Sequence, residues 1–248
     1  MTRLAIVSGG ATGIGRAIAA AFAADGVDVV IVGRRAELLA ASAEEINETV
    51  GTPRVRAVSA DLREVDGAAS VAASVSAGRA VDILVNNAGG NVAPGPAADL
   101  QGVRESWMSN VEGNVLPAVL LTHAVLPLMA RPGGRIVTVT SIAAFRGPAT
   151  YGGAKAALHP WTAELAVQLA PEGITANVVA PGYVPGTEFY GERMNPEFHA
   201  GRAAQNPMNR GGEVEEIAAT VVHLAGPHAG FLTGQIIQIN GGALLGRG

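Results

Sequence analysis

Cysteine is absent from all 248 residues. That excludes disulfides, thiolate catalysis and cysteine-held zinc, and it fits a reducing cytoplasm. The five histidines (His123, His159, His199, His223 and His228) form no HExxH or HxH cluster, so no metal site is expected. Lysine and arginine number 17 against 21 acids, with no basic run, so the formal charge of −4 argues against a nucleic-acid partner. No stretch has the roughly 18 consecutive apolar residues of a membrane span. The apolar run at Leu4–Val7 is too short for a secretory signal. Charge is sparse at 15 % and apolar residues reach 48 %, which describes a globule with much buried surface and apolar contacts left for assembly.

What is present is an alternation of two kinds of segment. Continuous apolar runs at Leu4–Ser8, Val27–Val32, Arg54–Ser59, Val81–Val85, Arg135–Thr140, Ile174–Val179 and Gln235–Ile239 read as strands buried on both faces. Between them, Ile14–Ala24, Ala36–Val50, Val65–Ala77, Ala97–Met129, Thr150–Leu169 and Val214–Ala225 read as helices. Pro117 and Pro127 are expected to kink and end the fourth of these, and Pro160 to bend the fifth. Residues 183–212, rich in Gly, Pro and Asn, read as an irregular substrate loop. The pattern predicts one α/β domain over residues 1–248. Its architecture is a Rossmann-type, doubly wound parallel sheet of about seven strands with helices on both faces.

Ser8-Gly9-Gly10-Ala11-Thr12-Gly13-Ile14-Gly15 lies between the first strand and the first helix. Glycines at such a turn let the backbone approach a pyrophosphate, which the helix amino end stabilises. After the second strand, a dinucleotide fold usually holds an acid for the ribose 2′-hydroxyl. This chain has Gly33-Arg34-Arg35 there. A guanidinium matches a 2′-phosphate and can grip it bidentately, so NADP(H) is expected over NAD(H). Asp61 and Leu62, after the third strand, are expected along the adenine, and Asp61 also reads as a helix N-cap.

Tyr151 and Lys155 stand four apart, on one face of a helix and one turn from each other. A free phenol has a pKa of about 10, and a neighbouring positive charge lowers it toward use as a proton donor at neutrality. Ser141, at the end of the run GGRIVTVTS, adds a hydroxyl able to hold a carbonyl oxygen.

Taken together, Gly9-x3-Gly13-x-Gly15, Asn86-Asn87-Ala88-Gly89, Asn110 in NVEGN, Ser141, Tyr151-x3-Lys155, Pro181-Gly182 and the closing LTGQIIQINGG resemble the classical short-chain dehydrogenase/reductase family over essentially the whole chain. The pattern is similar to that of 3-oxoacyl-(acyl carrier protein) reductases and polyketide ketoreductases. The resemblance implies an NADP(H)-dependent oxidoreductase that reduces a ketone to a secondary alcohol. Tyr151 would act as general acid in reduction and general base in oxidation. Lys155 would bind the nicotinamide ribose and lower the Tyr151 pKa, and Ser141 would hold the substrate carbonyl. Asn110 would hold a water joining Lys155 to solvent. Asn87, Ala88 and Gly89 would line the adenosine side. Val184 and Thr187, beyond Pro181-Gly182, would meet the nicotinamide carboxamide and present the pro-S hydride.

Two departures from the family pattern stand out. Ser141 lies ten residues before Tyr151 where the family more often has thirteen, with Thr140 its rival and Thr138 expected inside the strand. Gly152 and Gly153 follow Tyr151, and two glycines in a first helical turn are expected to cost about 1–2 kcal/mol and to loosen the tyrosine. In the substrate loop, Tyr183, Phe189, Tyr190 and Met194, with Phe145, suggest a largely apolar small-molecule substrate, free or carrier-bound. Arg193, Arg202 and Arg210 are either solvated or aimed at an acidic carrier. His159 is expected to be structural. A homotetramer, or else a homodimer, is expected, through the helices at 97–129 and 150–169 and through the C-terminal tail. The same residues would serve an NADP-linked alcohol or sugar dehydrogenase working in oxidation. A different class, a non-catalytic dinucleotide-binding regulator, would keep the fold without turnover.

Overall fold

The computed structural model describes residues 2–75, 78–92, 98–191 and 194–246. Seven strands form one sheet: β1 (Leu4–Ser8), β2 (Asp28–Gly33), β3 (Val55–Ser59), β4 (Ile83–Asn86), β5 (Arg135–Val139), β6 (Thr175–Pro181) and β7 (Ile236–Ile239). Their order is β3-β2-β1-β4-β5-β6-β7, with every neighbouring pair parallel. The strand order reverses between β1 and β4. A crevice for ligands therefore lies beyond the carboxyl ends of these strands.

Parallel strands need covered faces, and the side-chain alternation supplies both. Ala5 and Val7 of β1 belong to one core. It also holds Ile18 and Phe22 of α1 (Gly13–Ala24), Leu39 and Ile46 of α2 (Ala36–Val50), and Ile217 and Val221 of α9 (Val214–Ala225). Leu4 and Ile6 belong to the other core. There they meet Val71 of α3 (Val65–Val75), Leu121 and Val125 of α5 (Leu116–Val125), and Leu165 and Leu169 of α7 (Ala149–Leu169).

The helix expected over 97–129 is divided. α4 (Leu100–Asn114) ends at Val115, and α5 starts with Pro117 in its first turn, where a missing N–H loses no bond. Pro127 falls in a short 3₁₀ turn, Leu126–Leu128. Within Leu100–Leu128 an 18-residue window reaches a mean hydropathy of 1.4, enough to match a membrane span by length and composition, yet Leu121 and Val125 lie in the sheet core. Pro160 sits inside α7 without ending it. The expected ends at Ala77 and Ala97 lie outside the described residues.

Two further helices were not expected. α6 (Ala143–Arg146) follows β5, and α8 (Pro196–Ala203) interrupts the loop read as irregular. The signal for α8 is in the sequence: Asn195 caps it, its Oδ1 accepting from Phe198 N at 2.8 Å, and Pro196 opens the first turn.

Candidate active site

The site begins at the turn from β1 to α1. The Ser8 hydroxyl accepts from the backbone N–H of Asn87 (2.9 Å) and of Ala88 (3.0 Å), and donates to Val85 O. The Asn87 amide donates to Ser8 O (3.0 Å) and Gly9 O (3.3 Å). The segment after β4 thus braces the glycine turn. Gly13 has φ +52°, a conformation that glycine adopts at no steric cost, and Thr187 lies against it. Gly15 packs beneath the turn, where a Cβ would run into Gly9 O, and contrary to expectation it is not on the cavity wall.

A cavity of 640 Å³ runs from this turn in two directions, within the usual range for ligand sites. One arm is lined by Arg34, Arg35, Asp61 and Leu62, the other by Ser141, Tyr151 and Lys155. Gly9, Thr12, Ile14, Asn87, Ala88, Gly89, Pro181, Gly182 and Val184 complete the wall. The first-turn N–H groups of α1 have no intrahelical acceptor, and the helix dipole adds to their positive end.

Three guanidiniums gather at the first arm, and two are engaged. Arg63 grips Asp61 through Nε (3.0 Å) and Nη2 (2.5 Å), which holds that carboxyl down at about 2. Arg35 grips Glu188. Arg34 is exposed and, among the described residues, forms no ion pair.

At the second arm, α7 supplies Tyr151 and Lys155, both buried. Ser141 and Tyr151 both face the cavity, and Ser141 is near enough to act on the phenol. The rivals of Ser141 point elsewhere: Thr140 Oγ1 lies 3.1 Å from His159 Nε2, and Thr138 is buried within β5. Burial pushes the Tyr151 phenol up from its ordinary value, more than the nearby Ser141 hydroxyl lowers it, and Lys155 is not among the causes. The expected lowering of Tyr151 by Lys155 is therefore corrected: in this apolar setting desolvation dominates. Lys155 is itself lowered to about 8 by burial, and its Nζ donates to Val139 O at 3.2 Å. It is the only lysine in the chain, a signal that the sequence carries plainly.

Asn110 is fully buried, and its Nδ2 donates to Ser106 O and Thr150 Oγ1, both at 3.2 Å. Asn114, one turn on, donates to Asn110 O at 2.9 Å. A Cβ placed on Gly89 would meet Asn114 Oδ1 at 2.6 Å and Lys155 Nζ at 3.0 Å. The run NVEGN puts two asparagines on one helix face, and spacing alone does not choose between them.

The glycines after Tyr151 have a packing reason. A Cβ on Gly152 would collide with the Ala143 carbonyl oxygen of α6, and one on Gly153 would meet the Trp107 ring at 2.7 Å. The shortened loop after β5 folds as α6 directly against the first turn of α7. The shortened loop thus accounts for Gly152, while Gly153 answers to Trp107 of α4.

Of the expected substrate residues, Phe189 and Tyr190 line the cavity; Phe145, Tyr183 and Met194 do not. The Phe145 ring lies 4.9 Å from that of His159. Tyr183 is buried, its hydroxyl 2.8 Å from His199 Nδ1 and 3.5 Å from Met194 Sδ, so it anchors the loop. Arg202 lies over the Tyr183 ring and Arg210 grips Glu216. Arg193 lies outside the described residues.

A family model described as enoyl-(acyl carrier protein) reductase matches residues 9–243. The rhamnolipid-biosynthesis 3-oxoacyl-[acyl-carrier-protein] reductase of Pseudomonas aeruginosa is 34 % identical over 250 residues, covering 97 % of this chain and 95 % of its own. The P. aeruginosa RhlG/NADP active-site complex superimposes with a TM-score of 0.87 at 33 % identity, over 98 % of this chain and 96 % of that one. A variant of actinorhodin polyketide ketoreductase, solved with NADPH, gives 0.85 at 30 % identity, over 98 % and 97 %.

Proposed function

The chain belongs to the short-chain dehydrogenase/reductase family, and on that footing we propose that it is an NADP(H)-dependent reductase converting an apolar ketone, free or carrier-bound, to a secondary alcohol. The observation that carries this reading is the convergence of Ser141, Tyr151 and Lys155 on one cavity wall, with Lys155 one turn beyond Tyr151 along α7.

The residues fit the cofactor. The amino end of α1 suits a pyrophosphate, and Arg34, with Arg35 beside it, suits a 2′-phosphate. Asp61 and Leu62 would border the adenine, Lys155 would meet the nicotinamide ribose, and Val184 and Thr187 the carboxamide. When bound, the nicotinamide supplies the hydride that reaches the carbonyl carbon. Negative charge grows on the carbonyl oxygen as the C=O π bond breaks. Ser141 and Tyr151 donate hydrogen bonds to that oxygen, and the Tyr151 proton completes the alcohol. Asn110 is assigned the relay position, with Asn114 hydrogen-bonded to its backbone carbonyl. Phe189 and Tyr190 form the apolar wall for the substrate. The working form is assigned to the cytoplasm, as a homotetramer.

The test is NADPH oxidation against a panel of β-keto esters and aryl ketones. Tyr151→Phe should lower turnover by about 10²–10⁴-fold while NADPH binding, read by fluorescence, survives. Turnover near wild type would overturn the assignment.

A further inference from the structure

Glu188 reaches across the mouth of the cavity. Its carboxylate accepts from Arg35 Nη2 (2.7 Å) and Nη1 (3.2 Å), and from Thr12 Oγ1 (3.2 Å). One loop residue is thereby joined both to the end of β2 and to the glycine turn. Its neighbours are engaged as well. Thr187 lies against Gly13, and the Phe189 ring centroid is 5.4 Å from that of Tyr151. A single short segment thus spans from the first arm of the cavity to the catalytic tyrosine.

Resting on the NADP(H) reading, we propose that Glu188 is a cofactor-specificity residue, an internal anion that competes with the 2′-phosphate for Arg35. The bidentate face of one guanidinium holds one carboxylate or one phosphate, and the two anions repel each other. Arg34 meets the phosphate directly, and Arg35 joins when Glu188 lets go. The pair is a little over half exposed on both sides, so the competition is mild and reversible. A dinucleotide without the 2′-phosphate offers Arg35 no replacement anion, so Glu188 keeps its hold and only the phosphorylated cofactor meets the competition, which narrows the preference for NADP(H). Release of Glu188 also frees the segment that carries Phe189, which links the phosphate end of the cavity to the substrate end.

The experiment is a fluorescence titration of wild type, Glu188→Gln, Arg35→Ala and the double variant with NADPH and with NADH. Alongside it, hydrogen exchange of residues 187–190 is followed without dinucleotide. Glu188→Gln should bind NADPH about three- to tenfold more tightly, the scale of one exposed ion pair, with NADH changed less than twofold. The gain should vanish in the Arg35→Ala background, and exchange at 187–190 should quicken. Unchanged or weakened NADPH binding overturns the competition, as does unchanged exchange. Equal tightening of both cofactors places the competition at the pyrophosphate and overturns the specificity role. Wild type that binds neither dinucleotide overturns the NADP(H) reading and the competition together. Wild type that prefers NADPH, with no gain in Glu188→Gln, overturns the competition alone.

Discussion

Complete burial of the only lysine makes its charge a titratable property of the site. A guanidinium stays protonated in a protein interior, whereas an ammonium gives up its proton when desolvation outweighs its partners. Among the described residues Lys155 has one hydrogen-bond partner, Val139 O, and burial lowers it to about 8. Between that value and the ordinary 10.5 the unfolded chain binds more protons than the folded one, so this group makes stability rise with pH across that window. Its cost is fully present below 8 and relieved by 10.5. With lysine labelled at Cε, the protein should show a single lysine resonance that titrates near pH 8 in the absence of cofactor. A midpoint at 10 or above would mean that the ammonium is solvated. Lys155→Arg should not restore function, because the larger, permanently charged group has no such equilibrium.

The contact between α6 and the first turn of α7 reverses a familiar rule. Gly→Ala inside a helix ordinarily stabilises by up to about 1 kcal/mol. At Gly153 the added methyl meets Trp107, and at Gly152 the Ala143 carbonyl. Gly153→Ala should therefore destabilise by about 1–3 kcal/mol, with Trp107→Leu restoring much of the loss, as read by denaturant midpoints. Gly152→Ala should push α6 away, and with it Ser141, whose Oγ accepts from Ala143 N at 3.1 Å. Its kcat should fall while NADPH binding holds. A stabilised Gly153→Ala protein would show that the packing is loose. The glycine pair was visible in the sequence, but its sign was not. Propensity speaks for an isolated helix, and here the neighbouring backbone decides.

At the scale of the molecule, exposed apolar side chains include two groups, one on α4 and one at the sheet edge. On α4, Leu100 is 86 % exposed, and Val103, Trp107 and Met108 are also exposed. At the open edge of the sheet, Ile236 of β7 and Leu245 beyond it are exposed, the latter at 79 %. An unpaired edge strand beside apolar side chains is a surface that proteins cover. Two separate patches on one protomer suit the two interfaces of a tetramer with dihedral symmetry. Sedimentation should give four protomers for wild type and two for Ile236→Lys with Leu245→Glu, the α4 contact surviving. A monomeric wild type would exclude the assembly.

The fold was legible from the chain alone because its signals are local. Apolar runs, alanine-rich periodic segments and the glycine turn each specify an element within a dozen residues, and parallel pairing follows from strands buried on both faces. Tyr151, Lys155 and Ser141 were legible for the same reason, as a one-turn spacing and a strand end. What only the tertiary structure decided are relations between distant segments. Asn114 donates to both Asn110 O and Gly90 O, which ties the end of α4 to the segment after β4. Phe145 and Tyr183 pack against His159 and His199 instead of lining the cavity, and Met194 meets the Tyr183 hydroxyl. Glu188 meets Arg35 across 153 positions of chain. A side chain's partner is set by where the sheet and its loops bring the backbone, and that information is not contained in any one stretch of residues.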